Sequence, residues 1–310
     1  MTEIKATTSY AMTSELIQAY CRQSTTNKEA HFSIVIPSWN NLPYLQNCIQ
    51  SIRKNSSYTH QIIVHVNEGI DGTLEWVKSQ KNIDYTYSIK NIGVCYALNA
   101  ARTLVDTSYF LYLNDDMYVC PNWDNSLMDE IKKIGHSMFF LSATVIEPVA
   151  SSNCVIEKNY GTDIENFNES ALLNEFNGFA KPDWSGATWP PNIVPTALWD
   201  LVGGYSTEFS PGLYSDPDFS MKLWNAGVRY FKGVSASRAY HFGSKSVKRV
   251  KSNKGYHQFI NKWGFTSSVL TKHILKRGEL FTGPLPSFKM KGPLVLKQLF
   301  KKIISSFNEG

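Results

Sequence analysis

The stretch SYFLYLNDDMYVCP, residues 108–121, ends a nearly all-apolar run on two adjacent carboxylates, Asp115 and Asp116. Aspartate is common in turns and as a helix N-cap, and either role needs only one carboxylate. Two neighbouring anions repel, so a pair closing a buried strand suits a hard divalent cation. Mg²⁺ or Mn²⁺ takes one or two protein carboxylates and fills its shell with water and ligand phosphates. Two carboxylates beside a diphosphate would gather about four negative charges, a cost of several kcal/mol at a moderate effective dielectric. The chain has neither a Walker-type glycine loop nor G-x-G-x-x-G, so a helix N-terminus is not expected to carry the phosphates alone. The chemistry these residues suit is metal-assisted binding of a nucleoside diphosphate.

The elements that must position the pair are legible as an alternation. FSIVIPSWN, residues 32–40, reads as a buried strand ending in a Pro-Ser loop, and Leu45, Cys48, Ile49 and Ile52 then recur at helical spacing. QIIVHV, 61–66, is a second strand, followed by the turn-rich NEGIDGT and a helix through Leu74, Trp76 and Val77. DYTYSI, 84–89, is a third; NIGVCYALNAARTLV enters a helix, and SYFLYL is the fourth strand. Continuously apolar strands alternating with amphipathic helices predict an α/β fold with a mostly parallel sheet covered on both faces. Ligands bind such sheets at the carboxyl ends of the strands, where Asp115 and Asp116 fall.

The 310 residues are 43% hydrophobic and 18% charged, a globular composition with material for one large domain or two small ones. No apolar run reaches the ~20 residues that span a bilayer. The first thirty residues are polar and lack the apolar core of a secretory signal, which predicts a cytoplasmic protein. Five cysteines without a Cys-x-x-Cys pair suggest neither a zinc site nor a disulfide framework. The net charge of +5 is unevenly spread: after Thr271 there are eight Lys or Arg against Glu279 and Glu309, leaving the remainder close to neutral. A basic end on a neutral body points to a local anionic surface, and without a basic-aromatic sheet motif nucleic-acid binding is not expected. Composition separates a polar extension, 1–30, in which Ser14 suits a helix cap; a dense region, 31–265; and a basic C-terminal helical tail, 266–310, broken at Gly283-Pro284 and Gly292-Pro293.

The order of the motifs resembles glycosyltransferase family 2, whose members have the Rossmann-like GT-A fold. SIVIPSWNN is similar to that family's opening strand and loop, IIVHVNEGIDGT to its second strand and Asp-Gly-Thr loop, and NIGVCYALNAA to its Asn-x-Gly segment. YLNDDM resembles its acidic metal-binding motif, and WSGATW, VGGYSTEFSPG, YSDPDFSMKLWNAGVRYF and YHFGSKS continue the match to residue 250. The resemblance implies a GT-A domain over 31–265, with a nucleotide-sugar-binding half, 31–120, and an acceptor-binding half, 121–265. It also implies inverting, metal-dependent transfer of a sugar from a UDP, dTDP or GDP donor to a hydroxyl of a glycan or lipid-linked glycan, commonly in bacterial surface polysaccharide synthesis.

The resemblance also assigns roles. Pro37, Ser38 and Asn40 would line the nucleotide pocket, and Asn67 and Glu68 would face the base. The family usually has two aspartates in this second loop, where Val66 and Asn67 stand here; the Asn67 carbonyl or the Glu68 carboxylate could accept a base N–H. The same residues, with Gly69, Asp71 and Gly72, could equally make only a turn. Gly93 would allow close backbone approach, while Asn91 is either a donor contact or a helix cap. Asp116 and His241 would hold Mg²⁺ or Mn²⁺, Asp115 would lie nearer the sugar or ribose hydroxyls, and Asn114 takes a position where a further Asp is common. Lys245 and Arg249 either close over the phosphates or are simply solvated. Inverting transfer needs a carboxylate on the acceptor side as general base, and Asp216 aligns with the aspartate of the family's Glu-Asp motif, with Ser215 replacing the Glu. Asp218 is an acceptor-side candidate that also suits a helix start; Trp184, Trp189 and Tyr214 offer flat rings to a sugar. The altered second loop and the missing Glu keep a second reading open, a catalytically weak or inactive nucleotide-sugar-binding scaffold of the same fold.

In GPLVLKQLFKKIISSF, residues Leu296, Leu299, Phe300, Ile303, Ile304 and Phe307 recur at helical spacing, with Lys297, Lys301 and Lys302 largely elsewhere. Such a helix either lies peripherally on the anionic inner face of the plasma membrane or packs on the domain with a wet basic face.

Overall fold

The computed structural model describes residues 16–23, 29–243 and 254–307. Its strands are β1 (Ala19–Cys21), β2 (Ser33–Trp39), β3 (Gln61–Asn67), β4 (Ile83–Ser88), β5 (Tyr109–Tyr112), β6 (Met117–Val119), β7 (Phe139–Glu147), β8 (Ile156–Glu157), β9 (Trp184–Ser185), β10 (Asn192–Pro195) and β11 (Tyr230–His241). The helices are α1 (Leu42–Asn55), α2 (Thr73–Ser79), α3 (Gly93–Ala101), α4 (Trp123–Ile134), α5 (Glu169–Glu175), α6 (Thr196–Leu201), α7 (Ser215–Asn225), α8 (Gly255–Trp263) and α9 (Pro293–Ser306), with short helical turns over 267–274.

All strands join one sheet, in the order β1-β4-β3-β2-β5-β10-β7-β11-β6, with β8 beside β7 and β9 beside β11. β2 pairs in parallel with β3 and β5, and β3 with β4. β10 runs antiparallel to both β5 and β7, so β7 and its parallel neighbours β8 and β11 point the same way as β2, β3, β4 and β5. The mostly parallel α/β sheet expected from the strand composition is therefore present. Ile34, Ile36, Ile62 and Val64 pack with Leu45, Cys48, Ile49 and Ile52 of α1 on one face. Val35 and Ile63 pack with Cys95 and Leu98 of α3 and with Phe219 and Leu223 of α7 on the other. Alternate residues of a strand point to opposite faces; here both sets are apolar because helices cover both faces, and each buried aliphatic side chain contributes roughly 1.5–3 kcal/mol.

Three features go beyond the sequence-based expectations. The fourth strand falls within SYFLYL as expected, and a further short strand follows the acidic pair. β5 ends at Tyr112, Asp115 and Asp116 occupy a turn, and Met117–Val119 forms β6, which pairs antiparallel with the end of β11 so that Met117 faces His241. The acidic turn thus reaches the carboxyl ends of β7 and β11 at the far side of the sheet. Part of the polar extension adds an edge strand, with Ala19 opposite Tyr87, while Ser14 lies outside the described residues. The segment after 265 is not a detached tail: Leu270, Ile274, Leu275 and Leu285 are buried in the main core, and α9 lies on α8. Its lysines raise the average polarity and conceal these apolar residues in composition. Among the described residues no helix is long and apolar enough to cross a membrane.

Candidate active site

The strand ends enclose a cavity of about 940 Å³. Pro37, Ser38 and Trp39 reach it from β2, Asn67 from β3, Asn91, Gly93 and Val94 from the entrance to α3, and Tyr112, Asn114 and Asp115 from the acidic connection. Glu147, which ends β7, and His241, which ends β11, line it beside each other, and Trp189, Tyr214, Ser215 and Asp216 complete the lining.

On the first wall the loops brace one another. Ser38 donates its hydroxyl to Asp115 Oδ2 at 2.7 Å. The Asn67 side-chain oxygen accepts from Ile92 N at 2.9 Å and Ser88 Oγ at 3.3 Å. Glu68 Oε2 accepts from Trp39 Nε1 and Asn40 Nδ2, both at 2.9 Å, and Oε1 from Asn91 N at 3.3 Å. Asn91 Oδ1 in turn accepts from Gly93 N at 2.9 Å. Gly93 has φ +77°, and a Cβ there would lie 2.5 Å from the Pro211 Cα, so only glycine lets the third loop meet the 210–212 segment so closely.

The Asp116 side lies deeper. Both aspartates of the pair are buried, and His241 Nε2 is 3.4 Å from Asp116 Oδ1 while its Nδ1 is 2.7 Å from Glu147 Oε1. Burial alone would lower the His241 pKa, but the Asp116 charge and the hydrogen bonds to Asp116 and Glu147 outweigh it and raise the pKa to about 10. Burial likewise pushes Glu147 upward, and its bond to His241 reverses this, leaving the pKa below the usual glutamate value. With Glu147 on Nδ1, the ring presents Nε2 to Asp116, the orientation that a carboxylate gives a ligating histidine. Among the described residues no group of three His, Cys, Asp or Glu side chains is placed to hold a metal ion. A carboxylate and an imidazole with positions left for phosphate oxygens and water is a donor set that fits Mg²⁺ or Mn²⁺.

Asp216 opens onto the cavity from the first turn of α7, yet protein encloses most of it. Burial lifts its pKa to about 6 against the hydrogen bond donated by Tyr205 Oη to Oδ1 at 2.8 Å. Tyr205 is itself fixed by stacking on Phe219 and Trp199. Burial, followed by the Asp216 charge, raises the Tyr205 phenol well above its ordinary pKa, so it remains a donor. A carboxylate with a pKa near neutrality is suited to taking a proton.

Several expected site residues have other duties. Asn40 and Glu68 do not line the cavity: they hold the first and second loops together, and Asn40 Oδ1 also accepts from Ile70 N at 3.0 Å. The Asn67 side-chain oxygen already accepts from two donors and the Glu68 carboxylate from three, and of the two only Asn67 lines the cavity. Trp184 is buried against Gly233, where a Cβ would meet its ring at 1.8 Å, and it donates Nε1 to Thr144 Oγ1 at 2.9 Å. Asp218 points into the interior and accepts from Lys262 Nζ and Trp263 Nε1, both at 2.9 Å, tying α7 to α8. Lys245 and Arg249 lie outside the described residues. Trp39, Tyr112 and Glu147 belong to the site and were not anticipated. Glu147 carries the same signal as the aspartate pair, an acid ending an apolar run just before a proline.

The sheet, with acids and a histidine gathered at its carboxyl ends, is similar to the fold of GT-A glycosyltransferases. Residues 33–171 match the model of the family described as Glycosyl transferase family 2. The chain is 22% identical to the hyaluronan synthase of Pasteurella multocida over 78% of its own length, spanning only 24% of that protein. It also resembles S. aureus TarS 1–349 in complex with UDP (TM-score 0.57, 13% identity, 90% of this chain and 72% of that one). GalNAc-T7 with UDP, GalNAc and Mn²⁺ is similar too (TM-score 0.52, 14% identity, 69% of this chain and 44% of that one).

Proposed function

We propose that the protein moves a sugar from a UDP-sugar to a hydroxyl of a growing glycan with inversion at the anomeric carbon, in polysaccharide synthesis. The observation carrying this reading is that Asp216, Asp115 and His241 line one cavity, with Asp116 behind the imidazole at 3.4 Å. The UDP in the TarS and GalNAc-T7 structures supports the choice of base, and the Mn²⁺ in the latter supports the metal.

In this scheme the nucleoside lies along the β2 and β3 ends, with its diphosphate directed to Asp116 and His241. A Mg²⁺ or Mn²⁺ ion held by these two residues would offset charge on the departing diphosphate. Asp115, fixed by Ser38, faces the sugar or ribose hydroxyls. The acceptor enters beside Trp189 and Tyr214, and its hydroxyl oxygen bonds the anomeric carbon as the carbon–oxygen bond to the diphosphate breaks. Asp216 takes the hydroxyl proton, and Tyr205 keeps the carboxylate aimed. This arrangement speaks against the inactive-scaffold reading, because a binding protein has no use for a buried, half-neutralised carboxylate opposite the diphosphate.

The test is hydrolysis and transfer with a panel of UDP-, dTDP- and GDP-sugars, before and after chelation. UDP-sugar turnover that EDTA abolishes and Mn²⁺ or Mg²⁺ restores is the expected result. Full turnover after exhaustive chelation would overturn the metal assignment, and binding without turnover of any donor would favour the scaffold.

A further inference from the structure

We propose that α9 docks the protein on an anionic lipid surface. The helix is packed inside out. Beyond Leu294, which packs on the core, its inward side is polar: Gln298 and Ser305, seven residues apart and both buried, bond Thr266 N at 3.0 Å and His257 Nδ1 at 3.2 Å. Leu296, Leu299, Phe300, Ile303 and Phe307 follow the 3, 4 and 7 spacing of one stripe on the opposite side. Leu296 is 70% exposed, Phe300 65% and Phe307 83%. A helix stabilised by packing on its own domain would turn that stripe inward. Here hydrogen bonds hold the polar side against the protein and orient the apolar side outward.

The charges identify the occupant. Lys297 and Lys301 flank one edge of the stripe and Lys302 the other, and Lys289 and Lys291 precede the helix, with no acid between Glu279 and Glu309. Lysines on both shoulders of an apolar stripe suit a bilayer interface, where acyl chains take the apolar residues and anionic headgroups take the ammonium groups. A second copy of the same face would bring like charges together around a two-fold axis. The helix also connects to the site. α9 rests on α8, whose Tyr256 meets Tyr214 of the cavity wall edge to face at 6.1 Å. Docking through α9 therefore sets the orientation of the wall assigned to the acceptor. That consequence rests on the proposed function, whereas the docking itself does not.

The full chain is sedimented with vesicles of phosphatidylcholine alone and with about 30% phosphatidylglycerol. We expect binding to the anionic vesicles that weakens as salt rises. Leu299→Ser with Phe300→Ser should weaken it by about tenfold or more, and Lys297→Gln with Lys302→Gln should abolish the preference for anionic lipid. These side chains are exposed, so unchanged melting temperatures and near-ultraviolet dichroism should accompany both variants. Failure of the wild type to sediment, or equal sedimentation of wild type and apolar variant, overturns the proposal. So does a dimer in velocity sedimentation that the apolar substitutions dissolve while vesicle binding is absent, because a second copy then covers the face.

Discussion

Replacing Asp216 by asparagine should make the protein more stable and inactive at once. The folded carboxyl titrates at about 6, because burial disfavours its charge, against 3.8 for the free side chain. Between these values the folded state holds the extra proton, so Asp216 costs stability as pH rises from about 4 to about 8. Two units correspond to about 3 kcal/mol. The carboxyl opens onto the cavity, water screens part of this, and about 1–3 kcal/mol is expected. The side-chain amide of the Asp216→Asn variant cannot ionise, yet its oxygen still accepts the Tyr205 hydrogen bond, so the substitution removes the cost without removing the contact. Urea unfolding should show the variant close to wild type at about pH 4 and more stable by that amount at about pH 8. Transfer should fall roughly 10²–10⁴-fold, the usual worth of a general base, while donor affinity is kept. The wild-type kcat/KM should rise with pH through about 6 and then level off. A variant that transfers sugar normally, or whose stability difference is the same at both pH values, would refute the reasoning.

Three further outcomes follow from the same site. Asp116→Asn should lower UDP affinity measured with Mn²⁺ to the value measured in EDTA, and Glu147→Gln, which only loosens the His241 ring, should weaken Mn²⁺ binding by about 10–100-fold in calorimetry. Gly93→Ala should destabilise by on the order of 1–3 kcal/mol from the left-handed backbone alone, with more from the Pro211 clash, and a thermal melt reads it directly.

How far the sequence reaches is clearest in individual residues. Ile34, Val35 and Ile36, with Ile62, Ile63 and Val64, announce a doubly covered sheet, because only a strand buried on both faces can be apolar at every position. Asp115 and Asp116 are conspicuous for the opposite reason, since charge at the end of such a strand demands a partner. Trp184, Asp218 and Glu68 show the limit. Each has the right residue type beside a recognisable motif, yet each is spent on holding loops or helices in place. Which way a side chain points at a loop or helix start depends on neighbours distant in the chain, such as Gly233, Trp263 and Asn91.

The amino-acid order by itself determined the alternation of strands and helices, the acidic turn, the lone histidine after a strand and the basic amphipathic end, because each is a local pattern of burial, charge or period. Only the tertiary structure decided that His241 bridges Asp116 and Glu147, that Tyr205 aims Asp216, and that α9 turns its apolar side outward. Those outcomes depend on strand order and on contacts between residues far apart in the chain, such as His241 with Asp116. The physical reason is that period tells a residue whether it is buried, while only closure of the sheet tells it what it is buried against.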